Sequence, residues 1–303
     1  MSNVSVFAVV VTYNPNVDLL KKMINSLSNQ VSGIVIVDNA SINITEVKGC
    51  ILEIYPSTIF ILNEQNMGLG FAHNAGARKS ISVGASHVLI LDQDSIPDHD
   101  CIANLVQTEK DLLLKGVRVA AVGPVYYSEK TGEVYPITKF RGPFIDRIDP
   151  KDVVVEASFL ISSGCLIRIE MFDKVGFMDE DLFIDYIDVE WSFRAAFKGY
   201  KLIATPSARM KHSIGDERKV VMGRSISVHS PLRRYYLSRN SIYMIKKSYI
   251  PFGYKLRESV FNTLRLVIFV LLSKDKGEYF KYSIRGILDG VKGVKGRFPH
   301  KYS

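Results

Sequence analysis

Short apolar runs, each halted by a polar cluster, set the rhythm of the first hundred residues. Val4–Val11 is apolar and largely β-branched and stops at Thr12-Tyr13-Asn14-Pro15, an Asn-Pro pair of the kind that ends a strand. Val17, Leu20, Ile24 and Leu27 then recur at helical spacing and predict a helix over 17–27. Gly33–Val37 and Thr58–Leu62 read as a second and third strand, ending at Asp38-Asn39-Ala40-Ser41 and Asn63. Phe71–Ser82 reads as a helix, and Val88–Leu91 as a fourth strand running into Asp92-Gln93-Asp94-Ser95. Strand, polar turn and helix repeated in this way predict βαβ units and a parallel sheet. A strand as uniformly apolar as Val88–Leu91 is buried on both faces, as parallel strands under helices are. Each of these strands ends in Thr, Asp or Asn, so polar groups collect along one edge, where open α/β sheets bind ligands.

The second half is less regular. Val119–Tyr127 predicts another strand, and Ser128–Pro150 is turn-rich and reads as irregular. Phe159–Ile167 is apolar at both ends around a small-residue centre, where Gly164 permits either close approach to a ligand or a bulge. Next, Asp185, Asp188 and Glu190 fall within six residues, among Phe183, Tyr186 and Trp191, the chain's one tryptophan. A helix N-terminus attracts one or two acids through its dipole. Apolar neighbours also raise a carboxylate's pKa towards the range of a general base, and both readings stand. Val260–Leu272 is strongly apolar, but 13 residues fall short of the roughly 20 that span a bilayer. Further on, Phe280, Ile284, Ile287, Leu288 and Val291 form an apolar stripe beside Lys281, Arg285, Lys292 and Lys295. That pattern suits a helix lying on an anionic leaflet, or one packed on the domain or on a second copy in a homodimer. Gly286, Gly290, Gly293 and Gly296 each cost up to about 1 kcal/mol of helix stability, so this end is expected to fray.

Composition narrows the classes. With 47% hydrophobic and 23% charged residues the 303-residue chain is an ordinary folded protein. Cys50, Cys101 and Cys165 lie far apart with no CxxC pair, which argues for neither a disulfide framework nor a zinc site and for a reducing compartment. Met1–Val11 lacks the basic and long apolar segments of a signal peptide, so the expected location is the cytoplasm. The net charge of +8 is uneven, since residues 231–303 hold 16 Lys and Arg against 4 Asp and Glu. The remaining 230 residues are net acidic, so an anionic surface is the implied partner of the tail. No nucleic-acid recognition motif accompanies the basic residues, and nucleic acid is not the expected partner. The Gly-rich dinucleotide fingerprint is missing after the first strand, where Thr12-Tyr13-Asn14-Pro15 stands, and no Walker A sequence occurs. Asp92 and Asp94, two apart in an extended stretch, point to one side. Such a pair suits Mg²⁺ or Mn²⁺ bridging protein to diphosphate, or an Asx-type turn capping the next helix.

Taken in order, several stretches resemble glycosyltransferase family 2, inverting enzymes of the GT-A fold. They are Val9-Val-Val-Thr-Tyr-Asn-Pro15, Val37-Asp-Asn-Ala-Ser41, Asn66-x-Gly68-x-Gly70-x-Ala72-x-Asn74-x-Gly76 and Leu91-Asp-Gln-Asp-Ser95, then Ser163-Gly164-Cys165, Phe183 to Arg194, and His212. The Leu91–Ser95 and Phe183–Trp191 forms look most like bacterial rhamnosyltransferases of surface-polysaccharide synthesis. The implied fold is α/β, a Rossmann-like mixed and mostly parallel sheet flanked by helices, with a catalytic domain over 1–230 and a basic helical region over 231–303. The resemblance places Thr12, Tyr13, Asn14 and Asp38 on the nucleoside, and Asn66, Gly68 and Asn74 on its base and ribose side. Asp92 and Gln93 face the nucleotide sugar, and Asp92, Asp94 and His212 the divalent metal. Asp188 is the implied catalytic base with Asp185 as rival, because Ile187-Asp188 stands where the family often has Glu-Asp. A polar loop over 215–224 either closes over the donor, with Arg234 or Arg239 reaching the diphosphate, or is a solvated surface segment.

The implied donor is dTDP-β-L-rhamnose, with another nucleotide sugar such as a UDP-hexose or UDP-hexosamine as alternative. The acceptor is a saccharide, expected to be lipid-linked at the inner face of the plasma membrane. A sugar-phosphate nucleotidyltransferase would want a Gly-rich basic loop after the first strand, which is missing. A membrane-bound assembly protein on a dead transferase fold would not need Asp38, Asp92, Asp94 and Asp188.

Overall fold

In the computed structural model, residues 4–299 are described apart from 130, 152, 213–217, 222–223, 228–229 and 273–274, as are all side chains but those of 212–229 and 269–274. Four parallel strands open the fold: β1 (Val6–Thr12), β2 (Gly33–Asp38), β3 (Ile59–Leu62) and β4 (His87–Asp92). Their crossovers are α1 (Val17–Leu27), α2 (Ile44–Ile54) and α3 (Leu69–Ser82). The predicted elements stand close to their observed bounds, and α1 matches residue for residue. Its start is fixed by Asn16, whose side chain accepts the Leu19 N–H at 3.0 Å, an N-cap that satisfies one of the four orphan donors.

β5 (Ser95–Pro97), α4 (Cys101–Leu114) and β6 (Val119–Tyr127) follow, then β7 (Ile137–Arg141), β8 (Phe144–Ile148), β9 (Val155–Ala157) and β10 (Cys165–Arg168). Next come α5 (Glu170–Lys174), a 3₁₀ turn over Glu180–Leu182, α6 (Ile187–Phe197) and β11 (Lys201–His212). The main sheet runs β3-β2-β1-β4-β10-β6-β11-β5, with β9 on β11; β10 is antiparallel to both neighbours, and β11 is parallel to β6. β1 shows how the sheet is buried. Ala8 and Val10 pack with Leu20, Met23, Ile24 and Leu27 of α1, while Val9 and Val11 share the opposite cluster with Ala72 and Ala77 of α3. Each full burial of such a Leu or Ile stabilises by about 1.5–3 kcal/mol.

Three expectations need correction. Ser128–Pro150 is not irregular, because β7 and β8 form an antiparallel hairpin within it. In Phe159–Ile167 only Cys165–Ile167 is strand; a Cβ on Gly164 (φ 80°) would meet Pro124 and Met210 within 3 Å, so its close approach is to the protein itself. The helix expected to fray at its glycines runs on through Gly286 and Gly290 as far as Lys292. β12 (Arg218–Val221) and β13 (Arg224–Ser227) form a ribbon, followed by α7 (Pro231–Lys246), α8 (Phe252–Leu272) and α9 (Lys276–Lys292). A Cβ on Gly286 would stand 2.4 Å from the Tyr235 carbonyl oxygen, and one on Gly290 2.8 Å from that of Arg239. These glycines let α9 sit directly on α7. The apolar segment expected over 260–272 belongs to a 21-residue helix. No helix among the described residues is long and apolar enough to cross a membrane.

Candidate active site

The ends of β1, β2 and β4 lie in register, Thr12 beside Asp38 and Val11 beside Asp92, so the polar stops share one edge. Asp38 is buried there and accepts from Thr12 Oγ1 and the Ser41 N–H at 2.8 Å each, with the Ser41 hydroxyl as a third donor. The Tyr13 N–H donates to Gln93 Oε1 at 2.8 Å. Asn14 takes a left-handed φ of 47°, its N–H donating to Ser41 Oγ at 2.8 Å and its Oδ1 accepting the Ile42 N–H at 2.9 Å. Asn66 caps the Gly68 N–H at 2.9 Å. Asn74 is buried and turned to the protein, exchanging hydrogen bonds with the Met178 backbone and donating to Glu180 Oε1 at 2.7 Å. Asn39 and Ser41 are polar members of this edge that sequence reading left without a role. Asn39 accepts from Asn63 at 2.9 Å and ties β2 to the loop after β3.

Four carboxylates converge past β4. Burial, then the charges of Asp94 and Asp188, push the Asp92 carboxyl up to about 7, while Arg233 opposes them. Asp188, in the first turn of α6, is raised to about 6 by burial; its backbone hydrogen bonds work against this, and Asp185 adds to the rise. Arg233 pairs with Asp185 at 3.0 Å. Among the described residues no three His, Cys, Asp or Glu side chains are gathered closely enough to hold a metal by themselves. His212 ends β11, but its side chain lies outside the described residues, as do 215–217 and 222–223 of the expected lid.

Phe183, Asp185 and Tyr186 all have φ near 63°, a conformation costing about 1–3 kcal/mol per residue and common at functional sites. Neighbours over-determine it. The Leu69 N–H donates to the Phe183 carbonyl at 2.6 Å, and a Cβ on Gly68 (φ 91°) would stand 2.6 Å from the Phe183 ring. Asn240 donates to the carbonyls of Leu182 and Ile184 at 2.9 and 2.7 Å, and Arg239 to that of Leu182 at 2.9 Å. Arg239 is therefore committed to the loop backbone. Arg234 is buried beside Tyr186, Glu258 and Arg265, and burial lowers its pKa to about 10. Arg233, the arginine that faces the acids, was missed in the sequence. Arg233 and Arg234 carry the same charge side by side, and nothing local to them says which one meets the acids.

The model of glycosyl transferase family 2 matches residues 7–176. The dTDP-rhamnosyl transferase RfbF of Shigella flexneri is 33% identical over 297 residues, covering 97% of this chain and 98% of that one. Among solved structures, GalNAc-T7 with UDP, GalNAc and Mn²⁺ superposes with a TM-score of 0.59 at 18% identity, over 95% of this chain and 58% of that one. Residues 1–349 of S. aureus TarS, in complex with UDP-GlcNAc, give 0.56 at 14%, over 96% and 81%. The chain thus spans little more than half of GalNAc-T7. These likenesses establish the GT-A fold, and with the family model covering more than half its length and a full-length relative at 33% identity, the chain belongs to glycosyltransferase family 2.

Proposed function

We propose that the protein transfers L-rhamnose from dTDP-β-L-rhamnose to a saccharide acceptor with inversion, in bacterial surface-polysaccharide synthesis. The observation that carries the donor is the end-to-end similarity to a dTDP-rhamnosyl transferase. Thr12, Tyr13, Asn14 and Asp38 border the nucleoside, with Asn66 and Gly68 behind it; buried Asn74 supports that wall through residues 178–180.

A divalent cation fits the acidic cluster. Asp92 is held protonated to about pH 7 chiefly by burial and by the charges of Asp94 and Asp188, and a dication is the charge that arrangement lacks. Asp94, Asp92 and His212 would hold it. Bound there, it would supply positive charge to offset the negative charge that develops on a nucleoside diphosphate leaving group. Asp188 takes the proton of the acceptor hydroxyl, whose oxygen attacks the anomeric carbon from the face opposite the departing diphosphate. A single displacement inverts the centre without a covalent enzyme intermediate. Arg233, held by Asp185, offers a second positive charge towards the diphosphate; buried Arg234 supports the Tyr186 side of the loop. The finer reading of the acceptor is a lipid-linked saccharide at the cytoplasmic face of the membrane, motivated by the basic 231–303 region.

Thermal melting with Mg²⁺ or Mn²⁺ and a panel of nucleotides tests the donor, because a ligand that binds only the native state raises the melting temperature. A shift with dTDP or dTDP-rhamnose that disappears in Asp94→Ala supports the reading. A shift with UDP alone replaces the donor by a UDP-hexose or UDP-hexosamine. Asp188→Asn keeps the dTDP shift and loses transfer by about a hundred- to ten-thousandfold; near-normal transfer removes Asp188 from the role of base.

A further inference from the structure

α8 carries two faces with different duties. Its inner face holds the catalytic loop: Glu258, buried, accepts the hydroxyl of Tyr186, two residues before Asp188, and pairs with Arg265 at 3.2 Å. Its outer face is an apolar stripe. Phe252, Leu256, Val260, Leu264 and Val267 recur every three or four residues and are 48–78% exposed, a spacing that aligns them on one side of a helix.

The stripe is continued by another element. The backbone of Gly253 rests on that of Gly142, where a Cβ would come within 2.3 Å, and Arg257 reaches the Pro143 carbonyl. This contact seats the tip of the β7–β8 hairpin against the first turn of α8, and beside that tip Phe144 is 72% exposed. Five apolar side chains in a row on one helix, joined by a phenylalanine from a separate hairpin, exceed the scattered exposed apolar residues of a usual surface.

From this geometry we infer that the outer face of α8 together with the β7–β8 hairpin tip is a docking surface for an anionic lipid leaflet. The inference rests on the reading of a lipid-linked acceptor and names the surface that would meet the lipid. Charge selects the occupant. By helical register Lys255 and Arg257 flank the stripe on opposite sides, and residues 231–303 carry a net +12. An anionic headgroup layer satisfies an apolar stripe with a cationic rim. A second copy docking through the same face would set these like charges against one another across the two-fold axis. A lipid-borne acceptor would then be delivered to a site held from the opposite face of the same helix.

Co-sedimentation of the full chain with phosphatidylcholine vesicles, with and without phosphatidylglycerol, tests this surface. The native protein is expected to sediment with the anionic vesicles and to lose this with salt. The triple change Leu256→Ser, Val260→Ser and Leu264→Ser is expected to weaken partitioning about tenfold or more, given the apolar area withdrawn. Phe144→Ser, in a different element, lowers it severalfold and guards against misfolding of the triple variant. Both variants are expected to keep the dTDP-induced melting shift. Equal sedimentation of native and both variants overturns the inference, as does a native dimer that the triple change splits while vesicle binding persists. Vesicle binding without any dTDP shift leaves the lipid surface standing and removes the donor reading, so the two failures are distinguishable.

Discussion

His73 makes this fold acid-sensitive in a way that can be measured. It lies in α3, fully buried, with no hydrogen-bond partner on either ring nitrogen among the described residues. Burial alone lowers its pKa from 6.5 to about 3, because the charged imidazolium has nothing there to replace its water. The unfolded chain protonates this residue below about pH 6.5 and the folded one only near 3. Between those values the unfolded state binds more protons, and stability falls as pH falls. At pH 4.5 the gap is about two units from the unfolded value, or roughly 2.7 kcal/mol at 1.36 kcal/mol per unit, a large part of the 5–15 kcal/mol of a typical domain. His73→Leu removes the titration and the two unsatisfied nitrogens at similar volume, so its stability at pH 7.5 should equal or exceed that of the native protein. Urea unfolding followed by the fluorescence of Trp191, which is buried and donates to the Gly176 carbonyl at 2.8 Å, reads both proteins at pH 7.5, 6 and 4.5. Carboxylates titrate alike in the two, so the difference of differences isolates His73. The expected result is a loss between pH 7.5 and 4.5 that is smaller by about 2.7 kcal/mol in the variant. Parallel pH dependences would refute the reasoning.

Other expectations follow from single contacts. Transfer should decline as pH falls through about 6, where Asp188 takes up its proton; Asp185→Asn removes a charge that raises this pKa, so the acid limb should move lower, as pH profiles of kcat/KM would reveal. Gly277→Ala meets nothing within 4 Å on α9 and should raise the melting free energy by up to about 1 kcal/mol, whereas Gly286→Ala must push α9 off the Tyr235 carbonyl and should lower it; melting curves that rank the two the other way would contradict the packing of α9 on α7. Tyr186→Phe deletes the hydrogen bond to Glu258 and should lower kcat by loosening the 183–186 loop while leaving the dTDP melting shift unchanged; an unchanged kcat would separate α8 from the catalytic loop.

The parallel half of the fold was legible because its signals are local. A buried strand such as β4 is a run of apolar residues whatever surrounds it, and Asn16 caps α1 from within its own turn. The β7–β8 hairpin escaped notice because its strands alternate weakly, as in Thr138-Lys139-Phe140-Arg141, and gain their place from contacts made elsewhere, Phe140 on Phe193 and Tyr254. The glycines of α9 misled for a related reason. Counted alone they weaken a helix, yet Gly286 and Gly290 are what permit α7 to approach, and that requires knowing the partner. The two arginines of α7 carry the point into the site. One residue of helix turns a side chain by 100°, so Arg233 meets Asp185 while Arg234 is enclosed near Glu258. Composition is identical at the two positions, and only the face that α7 presents to the 183–186 loop decides between them. Arg239 and Asn240 fix that face by binding the loop's carbonyls. The roles of neighbouring cations are thus set by a helix register that the acids and the loop backbone impose together.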